Sequence, residues 1–572
     1  MKTAGTLLVL LFAATALSMV PTAAFAQAMA DSVFLYANPP APGGPVQTID
    51  QQIMADTLTG GVLPPNTVFV LQQTGTVDTV FFIAAPIHIS GNLTIVGKTD
   101  PATGHPPVLA PYTASDNTSP WTFFYPNGHD TVRIENLYCL GTRIDGSSVS
   151  GQVFYSNGDS TTFIANHCVF ENFSSGGTPN IAGFWNTQHG NIDITNCEFR
   201  NNQDDQPQNP GFTWVDPGTY PCDTARFVNN TFFIMGGSVI GSAGYVKYLD
   251  FEHNTVFFTT KGGIFAVPQL TNAVIKNNIF YSAVSAGMDT AHANAADWGT
   301  DILQLDTLST LKSSPFNLTE KGRSIVVTSN AYFWPQAIIA NWTKLNTAAD
   351  TMYGKILPPT FVTPHPASML TDKTTWPGIN ISSNDSTDPG FNASLVQQVA
   401  DSMARFVDTC WKAGGGLGTR PYVFASSDPP TWVGVASNWA ATQGYPVPEN
   451  LRYSATLTGD DGKPLGDLNW FPEYLSVHQT PKMIPTTFSL SQNYPNPFNP
   501  STDIRVSLSH GGEMSLTIYN VLGQVVQVVD QGSRPAGEYT YNVNMDNFAS
   551  GVYFYTLRQG AISITKKMLL LK

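Results

Sequence analysis

The chain has 572 residues, which is enough for two or more domains. Charged residues make up only 12% of it, and it contains 48 Gly and 41 Pro, a composition typical of a turn-rich all-β protein rather than a helical one. The formal net charge of −14 argues against nucleic acid or an anionic membrane surface as a partner. It leaves open an anionic substrate that is held through a bound cation.

The first 26 residues have the pattern of a signal peptide. Lys2 gives a positive start, Leu7 to Leu17 form an apolar run, and Ala24-Phe-Ala26 fits a small-x-small cleavage site. The run is too short to span a bilayer, and no later stretch is apolar enough to do so. We therefore expect inner-membrane export and a soluble mature protein without a transmembrane segment.

A three-residue signature then recurs and indicates a solenoid. An apolar residue is followed two positions later by Asn or His, and successive apolar residues are 24 to 33 residues apart. A repeat of this length, built of strand-like pieces, predicts coils that bury their apolar faces by stacking. The six segments are Ile134-Glu-Asn136, Ile164-Ala-Asn166, Ile194-Thr-Asn196, Phe227-Val-Asn229, Phe251-Glu-His253 and Ile275-Lys-Asn277.

A second apolar column keeps pace with the first. Its members are Phe154, Phe184, Trp214, Ile240 and Ile264. The sequence before these coils contains Ile87-His-Ile89 and Leu93-Thr-Ile95, which alternate like strands, and then a Pro-rich excursion at 98–130. A last coil is predicted around Val327 to Asn330.

The recurrent Asn has a structural explanation. Asn tolerates left-handed backbone angles where a strand ends, and stacked amides can hydrogen-bond along the rod. Asn230, Asn254 and Asn278 form a second column of this kind. A ladder is a commoner arrangement than a set of ligands, so we interpret these Asn residues as structural.

With these columns and segments such as Lys276-Asn-Asn-Ile-Phe-Tyr281, the chain resembles the right-handed parallel β-helix proteins of the pectin-lyase-like superfamily over about residues 45–335. The resemblance implies an all-β solenoid, which we place at 27–335. It does not imply one activity, because the superfamily includes lyases, hydrolases, esterases, epimerases, tailspikes and adhesins.

Outward positions beside the first column carry alternating charges. Asp193, Arg226 and Asp250 share a column in successive coils, and Glu252 precedes Lys276 by one coil. Exposed ladder ion pairs are one interpretation, each contributing about 0–1 kcal/mol. A catalytic cluster of carboxylates and a base is the other.

The lengths of the coils predict a groove. Long loops at about 139–152, 169–182 and 199–212 should stack into a wall on one side of the rod. Asp204 and Asp205 lie in the third loop, and Tyr155 and Trp185 are predicted to share an outward column. Aromatic rings beside carboxylates suit a sugar chain. The alternative is that Asp204 and Asp205 are a solvated loop tip.

Tests against particular chemistries leave the catalytic residues open. Of the motifs of polygalacturonase-like hydrolases only Asp204-Asp205 is present, with His189-Gly190 before it, so that family is disfavoured. A calcium-dependent polysaccharide lyase needs carboxylates for the metal and a basic side chain as the proton acceptor. Lys247, Lys261 and Arg226 are candidates for the base, with Asp or Glu on neighbouring coils. Asp223 is a further candidate catalytic residue, no motif fixes these roles, and calcium is a possible cofactor.

Five cysteines remain in the chain, at positions 139, 168, 197, 222 and 410. The first three do not keep one offset from their anchors, so a cysteine ladder is not expected. Buried free thiols and one disulfide between neighbouring coils both stay open.

Beyond the rod, residues 336–480 form a less regular extension. Asn392 or Ser394 is predicted to cap a helix whose apolar side includes Val399 and Met403 and which ends before Gly414. We expect this helix to pack on the rod or cap it, because an uncovered edge recruits other strands.

The last segment, 486–572, predicts a separate immunoglobulin-like β-sandwich. Alternating strands are expected at Asp503–Leu508, Met514–Asn520, Val525–Val529, Glu538–Val543, Gly551–Arg558 and Ile562–Leu570. With the run Asn493-Tyr-Pro-Asn-Pro-Phe-Asn-Pro500 and the ending Lys566-Lys-Met-Leu569, the segment resembles the type A C-terminal sorting domain of the type IX secretion system. The resemblance implies translocation across the outer membrane, with release or attachment to the cell surface.

The sequence thus predicts an exported rod with a C-terminal address domain, and three functions stay open. The rod could bind extracellular polysaccharide, it could cleave one as a lyase or glycoside hydrolase, or it could be a purely structural or adhesive surface rod.

Overall fold

The computed structural model describes residues 32–571 with gaps, and residues 1–31, where the signal peptide is predicted, lie outside the described part. The gaps within it are 37–47, 58–61, 65–66, 73–79, 100–105, 113–118, 143–150, 176–180, 185–186, 188, 201, 205–211, 217–221, 243–245, 261–263, 268–269, 286, 290–300, 309–318, 348–355, 412–452, 454–455, 472–473, 475–487, 494, 509–511, 535–536, 547 and 560–561.

Three long sheets, in which every pair of neighbouring strands is parallel, make the rod a parallel β-helix. At about 4.8 Å per strand the longest is roughly 50 Å from end to end. Sheet 1 contains, in stacking order, β1 (Ser32–Tyr36), β2 (Val68–Gln72), β5 (Leu93–Gly97), β8 (Thr131–Glu135), β11 (Thr162–Asn166), β15 (Gly190–Thr195), β19 (Cys222–Val228), β22 (Val246–Glu252), β25 (Asn272–Lys276), β29 (Ser324–Thr328) and β33 (Ile379–Ser382).

Sheets 2 and 3 have nine strands each. Sheet 2 contains β4 (Ile87–Ile89), β7 (Thr122–Pro126), β10 (Gln152–Ser156), β14 (Ala182–Phe184), β18 (Phe212–Asp216), β21 (Ser238–Ser242), β24 (Phe265–Ala266), β28 (Leu303–Asp306) and β32 (Val362–His365). Sheet 3 contains β3 (Val80–Ile83), β6 (Val108–Pro111), β9 (Tyr138–Leu140), β12 (Val169–Glu171), β16 (Glu198–Arg200), β20 (Thr231–Met235), β23 (Thr255–Thr259), β26 (Ile279–Tyr281) and β30 (Ala331–Phe333).

Two short sheets complete the rod. A parallel pair joins β13 (Ser174–Ser175) to β17 (Gln203–Asp204), and an antiparallel pair joins β27 (Met288–Asp289) to β31 (Ile356–Leu357). The stretch 98–130, interpreted from sequence as an excursion, instead contains β6 and β7 and is a coil of the rod. The parallel sheets also continue beyond residue 335, to β32 and β33.

The first apolar column is confirmed with one exception. Ile134, Ile194, Phe227, Phe251 and Ile275 lie in one register inside the rod and are buried. In the second of these coils the inward position is taken by Ala165, because Ile164 is opposite Arg133 and Asp193. The prediction that Ile164 belongs to the inward column is therefore wrong by one residue.

The second column, in sheet 2, departs further from the sequence interpretation. Phe154 is opposite Ala182, and Phe184 is opposite Ser156. At the other end of the column, Ile240 is opposite Phe265 rather than Ile264. The loops preceding these strands differ in length, so equal sequence spacing does not give equal register.

A left-handed residue follows the sheet 1 strand in eight successive coils, from β8 to β33, and explains the recurrent Asn. The φ angles at this position lie between +51° and +60°, a region in which Asn, His and Ser are tolerated better than branched residues. In chain order the position is occupied by Asn136, His167, Asn196, Asn229, His253, Asn277, Ser329 and Ser383. His253 is thus a turn residue, as the sequence suggested.

In the later coils, the residue that follows the left-handed turn residue is an Asn, and these Asn side chains form a buried ladder of hydrogen-bonded amides. Asn230, Asn254 and Asn278 each donate from Nδ2 to the Oδ1 of the following member, at 2.9, 3.1 and 2.8 Å, and the ladder continues through Asn330 to Asn384. The predicted ladder is confirmed. It fixes the register of the coils, because every amide is satisfied only when the column is aligned.

Four of the cysteines, Cys139, Cys168, Cys197 and Cys222, are buried free thiols. The backbone N–H of Cys168 donates to Cys197 Sγ at 3.4 Å, and the N–H of Cys197 donates to Asn230 Oδ1 at 2.8 Å. Cys168 and Cys197 therefore share a register and extend the ladder backwards, which the sequence expectation missed, whereas Cys139 is out of that register, as expected, and lies opposite Phe170. The side chain of Cys410 lies outside the described residues.

Three α-helices accompany the rod within the described part: α1 (Ile49–Ala55), α2 (Gln336–Thr347) and α3 (Ala393–Trp411). The predicted helix is α3. Asn392, rather than Ser394, caps it, since Asn392 Oδ1 accepts from the N–H groups of Ser394 and Leu395 at 3.0 and 3.1 Å. Val399 and Met403 join α2 in covering the outer face of sheet 3, as expected of a helix that hides an apolar face.

Residues 456–471, which we call the closing segment, cross the turns of three later coils. Leu468 N–H donates to Asn229 Oδ1 at 2.5 Å, and Asn277 Nδ2 donates to Asp460 Oδ1 at 2.8 Å. His253 lies between them, with Nε2 3.0 Å from Asp461 Oδ2. These bonds replace the water that the exposed turns would otherwise need.

Asp467 anchors the closing segment inside the protein. Thr231 Oγ1 donates to its carboxylate at 2.6 Å, and the Asn469 N–H and Nδ2 donate at 2.9 and 2.8 Å. Burial raises the pKa of Asp467 to about 7, although these hydrogen bonds oppose the shift. The group is therefore a titrating carboxyl within the physiological range.

The C-terminal part folds as a β-sandwich of antiparallel strands. One sheet contains β34 (Ser489–Leu490), β35 (Ser501–Leu508) and β38 (Gly537–Asn544), and the other contains β37 (Val525–Arg534), β36 (Gly512–Tyr519), β39 (Gly551–Gln559) and β40 (Ile562–Leu570). Their inward residues share one apolar core. All six predicted strands are present, so the fold class of a β-helix followed by a small β-domain is confirmed.

Candidate functional site

The outer face of sheet 2 carries a cluster of aromatic rings. The aromatic cluster comprises His88, Trp121, Tyr125 and Tyr155. Ring centroids of successive coils are 4.6 Å apart for His88 and Tyr125 and 5.1 Å apart for Tyr125 and Tyr155. Trp121 packs edge-on against both tyrosines, at 5.6 and 4.8 Å, and 43% of its surface is exposed.

Strand register explains the assembly of this cluster. His88 is opposite Tyr125 in β4 and β7, and the pairing of Phe124 with Phe154 places Tyr155 in the same outward column. Their neighbours Ile87, Phe124 and Phe154 point inward and are fully buried, which holds the three strands in place. The backbone of Trp121 is tied to β10 by the Gln152 N–H, which donates to Trp121 O at 3.0 Å.

The sequence partly anticipated this surface. Tyr155 was a candidate sugar contact, but its predicted partner Trp185 lies outside the described residues, and the strand partner of Tyr155 in the next coil is Gly183. The actual ring partners come from the preceding coil, in the stretch that the sequence analysis assigned to an excursion. Alternation of inward Phe124 and outward Tyr125 was the available signal.

A second group forms where sheet 2 turns into sheet 1. Asp223 and Lys247, both candidates from sequence, form an ion pair in which Lys247 Nζ donates to Asp223 Oδ1. His189 Nδ1 lies 3.0 Å from the other oxygen, Asp223 Oδ2. The His189 side chain is 47% exposed, whereas Asp223 is 15% exposed. Neighbouring coils thus bring a base, an orienting carboxylate and a cation together.

A hydrogen bond links the turn that carries His189 of this polar triad (His189, Asp223 and Lys247) to the strand that carries Tyr155 of the aromatic cluster. Ser156 directly follows Tyr155, and Thr187, two residues before His189, donates to Ser156 Oγ at 3.0 Å. The positive φ of His189 does not itself signal function, because His129 and Ser160 have the same conformation at the equivalent turns of preceding coils. His189-Gly190 stands out in the sequence, but its pairing with Asp223 does not.

The remaining loop candidates are not assembled by the described residues. Asp204 ends β17, where it is opposite Ser175 of β13, so two of the long loops do pair with each other. Its side chain is outside the description, as are Asp205 and the candidate base Lys261. Their roles as wall residues stay predictions.

The structure contains the charged column predicted on the outer face of sheet 1, but its side chains are less exposed than expected. Arg226 Nη1 lies 2.8 Å from Asp193 Oδ1, and Arg226 Nε lies 3.5 Å from Asp250 Oδ2. Burial raises the pKa of Asp250 to about 6 and that of Glu252 to about 7, with Lys276 opposing the shift of Glu252. Asp193 is only 4% exposed, which favours a structural ion pair over a substrate site.

A further charged network is buried on the outer face of sheet 3. Arg200 Nη2 lies 3.1 Å from Glu171 Oε2, which also accepts from the Tyr138 hydroxyl, and Arg200 Nε lies 3.7 Å from Glu198 Oε1. Burial raises the pKa of Glu198 to about 8, with Arg200 opposing the shift. All four side chains are almost fully buried, so they cannot meet a polymer from solution.

Two further features of the described residues bear on the site. No group of three or more His, Cys, Asp and Glu side chains among them is arranged to hold a metal ion. None of their helices is long and apolar enough to cross a membrane.

The two parts of the structure define a class of protein, an elongated β-helix that carries a small C-terminal β-domain. The family model "Secretion system C-terminal sorting domain" matches residues 492–571, which span almost all of that β-domain. The chain therefore carries the sorting domain of type IX secretion, which directs it to the cell surface or the medium and implies contact with the secretion machinery. A search of curated proteins finds no significant match.

Proposed function

We propose that the rod binds an extracellular polysaccharide on the outer face of sheet 2. The observation that carries the proposal is the aromatic cluster, in which three coils present rings outward and Trp121 is the most exposed. Aromatic rings offer flat apolar faces with polar tips, which suit the C–H faces and hydroxyls of sugars. Export by type IX secretion puts this surface where polysaccharides are encountered.

Binding to a broad polysaccharide panel tests the proposal. The full chain should be retarded by at least one polysaccharide in affinity electrophoresis, and Tyr155→Ala should weaken that interaction. Tyr474→Ala is the matched control, since Tyr474 is an exposed aromatic residue outside the cluster. Alanine at Asp204, Asp205 and Trp185 tests the predicted wall in the same assay. Absence of binding across the panel would favour the structural or adhesive rod.

A second candidate function is polysaccharide cleavage, favoured by the polar triad. With His189 Nδ1 hydrogen-bonded to Asp223, the other ring nitrogen is left for proton transfer, as in other His–Asp pairs. A calcium-dependent lyase and a glycoside hydrolase both stay open. The chain contributes a base and its orienting carboxylate, whereas calcium, if bound, would polarise a substrate carboxylate.

Product analysis separates these possibilities. Unsaturated products that require calcium indicate a lyase, and new reducing ends alone indicate a hydrolase. His189→Gln should abolish either activity while His129→Gln, at the equivalent turn of an earlier coil, should retain it. Binding without any product would leave the rod a binding protein.

A further inference from the structure

We propose that the aromatic cluster is a binding subsite for a neutral polysaccharide, which it recognises through sugar C–H faces and hydroxyls rather than through carboxylate or sulfate groups. The inference rests on the proposed function and narrows its ligand to one chemical class. It follows from which side chains the register places beside the rings and which it places elsewhere.

The outward column of sheet 2 is free of formal charge over seven coils. Backbone register aligns His88, Tyr125, Tyr155 and Gly183 and continues to positions 215, 241 and 266, and none of these seven residues is Lys, Arg, Asp or Glu. The corresponding column of sheet 1 contains Arg133, Asp193, Arg226 and Asp250. The aromatic cluster therefore lies in a column without charged residues, whereas the corresponding column of sheet 1 carries several.

Three outward cations of the later coils are already engaged by carboxylates. Arg226 is paired with Asp193 and Asp250, Lys247 with Asp223, and Lys276 with Glu252. A polyanion would have to compete with these pairs. It would also approach a chain whose net charge is −14.

Neutral polar groups lie directly beyond the rings. Asn127 is exposed and donates from Nδ2 to Ser90 Oγ at 2.8 Å, and these two residues follow the strands that carry Tyr125 and His88. Amide and hydroxyl groups can both donate and accept, as sugar hydroxyls require. Burial, with a contribution from Tyr125, raises the pKa of the Tyr155 hydroxyl, so that it stays a neutral donor in the same surface.

Trp121 is the ring that we expect to carry most of the contact. Tyr125 and Tyr155 both pack edge-on against it, which restricts the rotation of the indole before a ligand binds. A rigid exposed indole loses little conformational entropy on binding and supplies a large flat surface. Recognition of this kind depends little on salt, in contrast to binding between opposite charges.

The test compares neutral polysaccharides, such as glucans, xylans and mannans, with uronate and sulfated polysaccharides, using the full chain. The expected result is binding to a neutral polysaccharide that persists at about 1 M salt, where the Debye length is about 3 Å, and in the presence of a chelator. Trp121→Ala should weaken it about tenfold or more, and Trp121→Phe should weaken it less. Phe34→Ala, an exposed ring on sheet 1, is the matched control.

The outcomes separate the two proposals. Binding only to anionic polysaccharides, with loss in Trp121→Ala, would overturn the neutral ligand but leave polysaccharide binding at the cluster. Neutral binding that is unchanged in Trp121→Ala and Trp121→Phe would overturn the subsite. No binding to either class would overturn both proposals. Circular dichroism and thermal unfolding of each variant check that the rod is folded.

Discussion

The amide ladder makes a specific prediction about the stability of the rod. Asn254 is fully buried, and its Oδ1 accepts from the backbone N–H of Asn230 at 3.0 Å and from Asn230 Nδ2 at 2.9 Å. Its Nδ2 donates to Phe227 O at 2.8 Å and to Asn278 Oδ1 at 3.1 Å. Nδ2 also donates to Glu252 O at 3.0 Å, so Asn254→Ala would remove five hydrogen bonds and leave the Asn230 N–H without its acceptor.

The size of the effect follows from the buried groups left unpaired. Each unsatisfied buried polar group costs about 1–3 kcal/mol. In the variant the Asn230 N–H loses its acceptor and Phe227 O loses a donor, so the free energy of unfolding should fall by about 2–4 kcal/mol. The effect should reach neighbouring coils, because each coil is stabilised mainly by the coils it contacts.

Equilibrium denaturation of the full chain measures this effect. Asn272→Ala is the matched control, since Asn272 is exposed and makes a single side-chain hydrogen bond, to Lys247 O. We expect the control to change the free energy of unfolding by about 0.5 kcal/mol or less. If Asn254→Ala is as mild as Asn272→Ala, the ladder is not a stabilising element and the reasoning is wrong.

Three other predictions concern charge and export. Arg226→Leu should destabilise the rod by about 3 kcal/mol, because it leaves the buried Asp193 carboxylate without its cation. In a denaturation experiment, adding Asp193→Leu should recover part of that loss in stability. The pKa of Asp467 is raised by burial, so its contribution to stability is greatest below about pH 4 and is lost as pH rises to about 7. Asp467→Asn should therefore flatten the dependence of the unfolding midpoint on pH over that range, and an unchanged slope would contradict the assignment. Removal of residues 488–572 should leave the rod inside the cell envelope, measured by cell fractionation, and surface delivery without them would contradict the role of the sorting domain.

The features predictable from sequence are those that depend on local periodicity. The alternation of apolar residues in 503–570 identified six of the seven strands of the described sandwich, and Ile-x-Asn spacing identified the turns of the rod. Register was harder, because the left-handed residue of one coil is His167 rather than Asn166, which displaces Ile164 from the core. A one-residue shift changes the face of a whole strand.

The candidate site could be predicted only in part. Asp223 and Lys247 occupy matching positions in neighbouring coils, so their pairing is visible in the spacing. The aromatic cluster is not visible in this way, since Trp121 and Tyr155 are brought together across a loop of variable length. Buried networks such as Glu198 with Arg200 depend on what covers sheet 3, which spacing alone does not reveal.

The most direct test of the central claim is the affinity of the full chain and its Trp121→Ala variant for a panel of neutral and anionic polysaccharides. The account predicts salt-resistant binding to a neutral polysaccharide that falls about tenfold or more in the variant. A correctly folded chain that binds no polysaccharide in the panel, or binds one equally well without Trp121, would contradict it.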